Sequence, residues 1–123
     1  MSQGEKPARK TGVAHFFAAA SYSIAGLKRL LRESAFRQEL LLVLGLLVLF
    51  IAFGASLAAL AGLLALGLLL FAVEALNTAI EVLVDHLSPD WSTFAKDAKD
   101  LGSLAVACVI GGLLLYAGIV LVL

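Results

Sequence analysis

The chain has 123 residues, 62% of them hydrophobic, against roughly 45–50% in ordinary soluble domains, which argues against a water-soluble globule. Its nine basic and nine acidic residues cancel, and this balance gives no reason to expect a nucleic-acid partner. Cys108 is the single cysteine, so no disulfide can form within the chain, and its place inside an apolar run marks it as a packing residue.

Residues 1–12 (MSQGEKPARKTG) are polar with Pro and Gly, as expected of a disordered tail. They lack the short apolar core and small-residue cleavage site of a secretory signal. From Val13 the apolar positions Val13, Phe16, Phe17, Ala20, Ile24, Leu27 and Leu31 advance mostly in threes and fours, which predicts an amphipathic helix over 13–33. Lys28, Arg29 and Arg32 gather near its end, as in a surface helix lying on the cytoplasmic leaflet. An amphipathic docking helix that touches no lipid gives the same pattern.

Leu40 to Val73 is a run of 34 residues without a charge. About 20 apolar residues cross a bilayer, so the run suits two spans, with the break at Gly54-Ala55-Ser56. A third apolar run covers Leu101 to Leu123. The expected fold is an all-α integral membrane protein: one surface helix, then a membrane domain over 34–123 with spans at about 37–54, 57–85 and 99–122. All nine Lys and Arg precede the first span or lie between the second and third. The positive-inside rule then places the N-terminus in the cytoplasm and the C-terminus outside.

The second span ends in an unusual way. Glu74 and Glu81 are seven residues apart, within about 20° on a helix; Asp85 falls about 20° to the other side and Asn77 within about 60°. If the span starts near Ala58, Glu74 lies in its last turn inside the hydrocarbon, with Glu81 and Asp85 above it. An ionised acid at the centre of a span costs about 2.5–3.5 kcal/mol or more, less toward the edge, so such acids are functional by default. A structural acid that fixes helix packing is the plainer reading. Glu33, Arg37, Gln38 and Glu39 stand at the entrance to the first span, and Lys96, Asp97, Lys99, Asp100 and Ser103 at the third. Carboxylates for Mg²⁺, a cation for phosphates and a base for an attacking hydroxyl are the parts phosphoryl transfer needs. At the membrane face the acceptor would be a lipid alcohol. The sequence has no Walker motif, no protein-kinase signature and no His/Cys zinc cluster; His15 and His86 stand alone.

Three blocks carry a resemblance: Ala35-Phe36-Arg37-Gln38-Glu39, then Glu74-x-x-Asn77-x-Ala79-Ile80-Glu81-x-x-Val84-Asp85, then Ala98-Lys99-Asp100-x-Gly102-Ser103-x-Ala105-Val106. With Tyr22-Ser23-x-x-Gly26-Leu27 before them, they resemble the bacterial membrane-integral diacylglycerol kinases from about residue 14 to the end. The resemblance implies a homotrimer in the bacterial inner membrane that moves the γ-phosphoryl group of ATP to diacylglycerol, with Mg²⁺. It implies Glu74 as catalytic base, helped by Asn77, and Glu33 and Glu81 as holders of metal and nucleotide. It puts Tyr22, Asp90, Trp91, Ser92, Lys99 and Asp100 at ATP, together with His15, which stands where the family has an arginine. Ala35, Phe36, Arg37, Gln38, Glu39 and Ser103 would line the lipid side with Glu74. Trp91 replaces a usual tyrosine, and Ala117 a common tryptophan.

The related undecaprenol kinases share the central block, so that acceptor is an alternative. A proton-coupled small transporter would also use an intramembrane acid, but gives no reason for Glu81, Lys99 and Asp100 to gather at one face. A non-catalytic adaptor has no use for Glu74. Three spans of one chain make a thin bundle, so neighbouring chains are expected to help cover Glu74 and to complete its site, with Glu33 and Glu81 coming from another chain or from the same one. The pairs Ala58/Gly62, Ala61/Ala65 and Ala107/Gly111 allow close helix approach within or between chains.

Overall fold

The computed structural model describes residues 4–123. Residues 4–11 are exposed and without regular structure; the first three residues of the expected tail lie outside the described residues. Four helices follow: α1 (Gly12–Leu30), α2 (Ser34–Ala52), α3 (Leu57–Leu87) and α4 (Thr93–Val122). The last three are each long and apolar enough to cross a membrane. The 19 residues of α2 match the hydrocarbon thickness at about 28 Å. With 31 and 30 residues, α3 and α4 run about 45 Å and project roughly 15 Å beyond it. Their projecting turns are the polar ones, at the end of α3 and the start of α4.

The turns have local causes. Gly54 adopts φ 70°, a left-handed conformation that a Cβ disfavours. It allows Ala55 N–H to reach Phe50 O at 2.8 Å and Gly54 N–H to reach Ile51 O at 3.1 Å, the paired bonds of a Schellman cap. Ser56 then caps α3, its hydroxyl accepting from Ala59 N–H at 3.1 Å, and Ser92 caps α4 by accepting from Ala95 N–H at 3.3 Å. At the α1–α2 corner Arg37 Nη1 donates to Leu31 O and Arg32 O, both at 3.0 Å. These carbonyls are thereby satisfied without further helical turns, and α1 stops at Leu30.

Packing follows a repeat of three and four. The buried stripe of α2 is Phe36, Glu39, Val43, Leu46 and Phe50; that of α3 is Leu63, Gly67, Leu70, Glu74 and Asn77, with Thr78 beside it. α4 contributes Ala95, Gly102, Val106, Leu113 and Ala117. These spacings keep one face of each helix on its neighbours, as in left-handed bundles. α3 packs mainly on α4 and less on α2, while α1 makes its contacts chiefly with α3. Phe50, Leu63, Leu70 and Leu113 are fully enclosed in the core. Cys108 corrects one expectation: it is exposed, not packed. It lies two residues past Val106, about 200° around α4 from the buried stripe.

Candidate active site

The polar centre is a continuation of the packing stripe. Below Glu74 the inward positions of α3 are apolar; from Glu74 onward the same positions carry Glu74 and Asn77. Periodicity therefore turns both side chains into the bundle, where Glu74 is 4% and Asn77 8% exposed. One chain alone shields Glu74, contrary to the expectation that a three-span bundle is too thin. The reason is that Glu74 faces α2 and α4 rather than the outer surface of α3.

Thr78, one turn beyond Glu74, donates through Oγ1 to Glu74 Oε1 at 3.5 Å. Asn77 Nδ2 donates to Glu81 Oε1 at 3.4 Å. From α2 the buried Glu39 turns its carboxyl toward Glu74. Glu33 and Glu81 lie within electrostatic reach of Glu74. Glu39 Oε2 and Asn77 Oδ1 are buried without a hydrogen-bond partner among the described residues. A buried acceptor without a donor forfeits about 1–3 kcal/mol, so Glu39 Oε2 favours a hydroxyl brought into the cluster.

Around this centre the first span's residues take different places. Glu33 holds Arg29 at 2.6 Å in the α1–α2 corner. Arg37 is engaged with the corner carbonyls through Nη1, which leaves its other N–H donors free. Phe36 is 2% exposed and packs edge-on against Phe71, with ring centroids 5.1 Å apart. Ala35, Gln38 and Ser103 are exposed.

A second cluster lies farther along α3. From Glu74 to Asp85 is eleven residues, roughly 16 Å of helix. There Asp85 pairs with Lys99 at 2.5 Å and Lys96 with Asp100 at 2.6 Å, beside an open cleft of about 370 Å³ lined by the loop Ser88–Ser92. Ser88 Oγ donates to Asp90 O at 2.9 Å and lies 2.7 Å from Ser92 Oγ, which shapes that loop. Trp91 stands at its rim, largely exposed. Between α1 and α3 runs an apolar groove of about 840 Å³, walled by Gly26, Leu27, Leu30, Phe71, Ala75 and Thr78. His15 and Tyr22 are exposed on α1.

The chain thus gathers Glu39, Glu74, Asn77 and Glu81 in one cluster, and Asp90, Trp91, Ser92, Lys99 and Asp100 in another. It leaves His15 and Tyr22 outside both. Sequence reasoning missed Thr78, whose signal was its place four residues after Glu74. It also left the pairing partners Asp85 and Lys96 unassigned, and it quoted Gly102 only as a motif letter. Among the described residues no three His, Cys, Asp or Glu side chains form a metal-binding group. Mg²⁺ seldom takes a cage made wholly of protein; it is held by one or two carboxylates with phosphates and water. Glu33 and Glu81 are carboxylates of the type that pattern uses, with Glu33 paired to Arg29 in this structure.

Fold and centre define a membrane protein of three spans with an acidic site where apolar turns give way to polar ones. The family model described as prokaryotic diacylglycerol kinase matches residues 21–121, and the chain belongs to that family. It is 46% identical over 114 residues to a diacylglycerol kinase of Sinorhizobium sp., covering 93% of this chain and 83% of that protein. A diacylglycerol kinase of Pseudomonas aeruginosa is 39% identical over 97 residues, covering 78% and 79%. One of Escherichia coli K12 is 38% identical over 103 residues, covering 81% and 83%.

Proposed function

We propose that the chain is an ATP-dependent lipid kinase that phosphorylates diacylglycerol to phosphatidic acid at the cytoplasmic face of the bacterial inner membrane. The observation that carries this reading is Glu74: a buried carboxylate, flanked by Thr78 and Asn77, at the end of an apolar span in a chain of this family. Glu74 takes the proton of the lipid hydroxyl as its oxygen bonds to the γ-phosphorus. The bond from that phosphorus to the bridging oxygen breaks, and ADP leaves. Asn77 and Thr78 orient the carboxylate, and Glu39 and the free donors of Arg37 bind the glycerol side with Gln38, Ala35, Phe36 and Ser103. The acyl chains lie in the groove whose wall at Thr78 adjoins Glu74.

Glu33 and Glu81 would hold Mg²⁺, which supplies charge neutralisation on the phosphates when bound. Lys99, Asp100 and the Asp90-Trp91-Ser92 loop contact the nucleotide, with Tyr22 and His15 brought in from α1. For α1 the reading is a helix lying on the cytoplasmic leaflet, with its exposed Val13, Phe16 and Phe17 in the lipid boundary. Residues 4–11, which precede it, form a free tail. The N-terminus lies inside and the C-terminus outside, and three chains associate.

The test is transfer of label from γ-labelled ATP to lipid in detergent micelles, with diacylglycerol and undecaprenol assayed side by side. Label on diacylglycerol is expected. Label on undecaprenol alone overturns the acceptor, and label on neither overturns the kinase.

A further inference from the structure

Gly102 lies on the buried stripe of α4, and the side chain of Asn77 is pressed against it. A Cβ placed on Gly102 would collide with Asn77 Oδ1 and stand 3.2 Å from its Cγ. Glycine alone lets the α4 backbone come this close. The hydrogen bond to Glu81 decides which way the amide faces. Its oxygen meets the α4 backbone, where it finds no hydrogen-bond donor among the described residues, only the weak attraction that a Cα–H provides. Its nitrogen points along α3 to Glu81 Oε1. Shape, rather than a donor on α4, holds the amide in place. The other close glycines serve different ends: Gly62 meets Tyr116 and Gly67 meets Val43, while Gly111 and Gly118 face open space.

We propose that Gly102 is a positioning residue of the phosphoryl transfer: by lacking a side chain it lets the Asn77 amide point to Glu81 on the stripe that carries Glu74. This rests on the role given to Asn77 above. A methyl group on Gly102 must push the amide aside by on the order of 1 Å, a misplacement that can lower a rate about 10²-fold. Asn77 would lose its reach to Glu81, while the rest of α4 keeps a residue well suited to a helix.

The experiment compares the full chain with Gly102→Ala, Asn77→Ala and the double variant, purified in detergent. It reads kcat with ATP and diacylglycerol, and the thermal midpoint. Gly102→Ala is expected to lower kcat about 10²-fold and to lower the midpoint. In the Asn77→Ala background the methyl meets no amide, so the same substitution lowers neither further. Should Gly102→Ala fail to fold alone, recovery of folding in the double variant supports the contact by itself. Equal losses in both backgrounds overturn the proposal, since Gly102 would then serve helix packing independently of Asn77. So does near-normal kcat in Gly102→Ala while Asn77→Ala is impaired, which leaves the role of Asn77 standing. A fully active Asn77→Ala instead removes that role, and the positioning with it.

Discussion

Glu74 and Gln38 illustrate how placement decides what a polar side chain does. Gln38 is exposed beside the buried Glu39, while Glu74 is 4% exposed and has Thr78 Oγ1 at 3.5 Å. A carboxylate buried at that level is costly unless used or paired, and its neighbours satisfy it only through long bonds. Under the proposed chemistry Glu74→Gln preserves volume and leaves an amide that Thr78 can still meet, but it cannot take a proton. Folding and ATP binding should persist while kcat falls at least about 10²-fold, the usual scale for loss of a general base. Steady-state turnover with a nucleotide-binding measurement checks this, and a variant with near-normal kcat removes Glu74 from the base role. Part of this site was legible in the sequence. The helical period alone puts Glu74, Asn77 and Glu81 on one stripe, and the single break in the long apolar run marks the turn at Gly54. What opposes that stripe was not legible. Glu39 meeting Glu74, Asn77 meeting Gly102 and Lys99 meeting Asp85 depend on how α2 and α4 are registered against α3. Register is set by the loop geometry and by apolar interlocking across helices, neither of which a one-dimensional period encodes. Arg37 shows the same limit, because its engagement with Leu31 O and Arg32 O follows from a corner the sequence leaves open.

At the scale of elements, the helices divide their lengths between membrane and water. α2 just matches the hydrocarbon, and α3 and α4 overrun it with their charged turns. The α2–α3 turn, Phe53 to Ser56, has no charge, whereas the α3–α4 loop is flanked by Asp85, Lys96 and Lys99. Under the positive-inside rule that loop is expected in the cytoplasm and the short turn outside. In a Cys108→Ala background, a cysteine at Ser56 should therefore react with a membrane-impermeant thiol reagent added to whole cells. Losing the Ser56 cap lowers stability by about 1 kcal/mol, which a helix of this length tolerates. A cysteine at Asp90, exposed in the loop, should react only after the membrane is opened. The reverse labelling pattern refutes the orientation.

For the whole molecule, one chain encloses Glu74 yet divides its polar residues between two places. Glu74 and Asn77 lie in the bundle, while Lys99 of α4 is committed to Asp85, which stands roughly 16 Å beyond Glu74 along α3. α1 makes its contacts chiefly with α3, leaves Phe16, Phe17 and Tyr22 exposed, and borders a groove of about 840 Å³. Among the described residues of one chain, no three His, Cys, Asp or Glu side chains are placed to hold a metal ion together. These features suit a trimer in which a neighbour's loop and surface helix bring the nucleotide to this chain's Glu74. The small pair Ala107/Gly111 permits such contact, since Gly111 faces open space in the single chain. The consequence can be tested by complementation. Glu74→Ala removes the base and Lys99→Ala the phosphate contact, and each should be inactive alone. If one site draws Glu74 and Lys99 from different chains, mixed oligomers contain sites in which both residues are intact, and part of the activity returns. If both come from one chain, each site in a mixture lacks one of the two. Co-purification through two distinct tags establishes that mixed oligomers form; label transfer from ATP then reads the sites. Activity that rises with mixing and peaks near equal proportions is expected. Mixed oligomers that stay inactive at every ratio assign both residues of each site to a single chain, and the shared site is then wrong even though the chains associate.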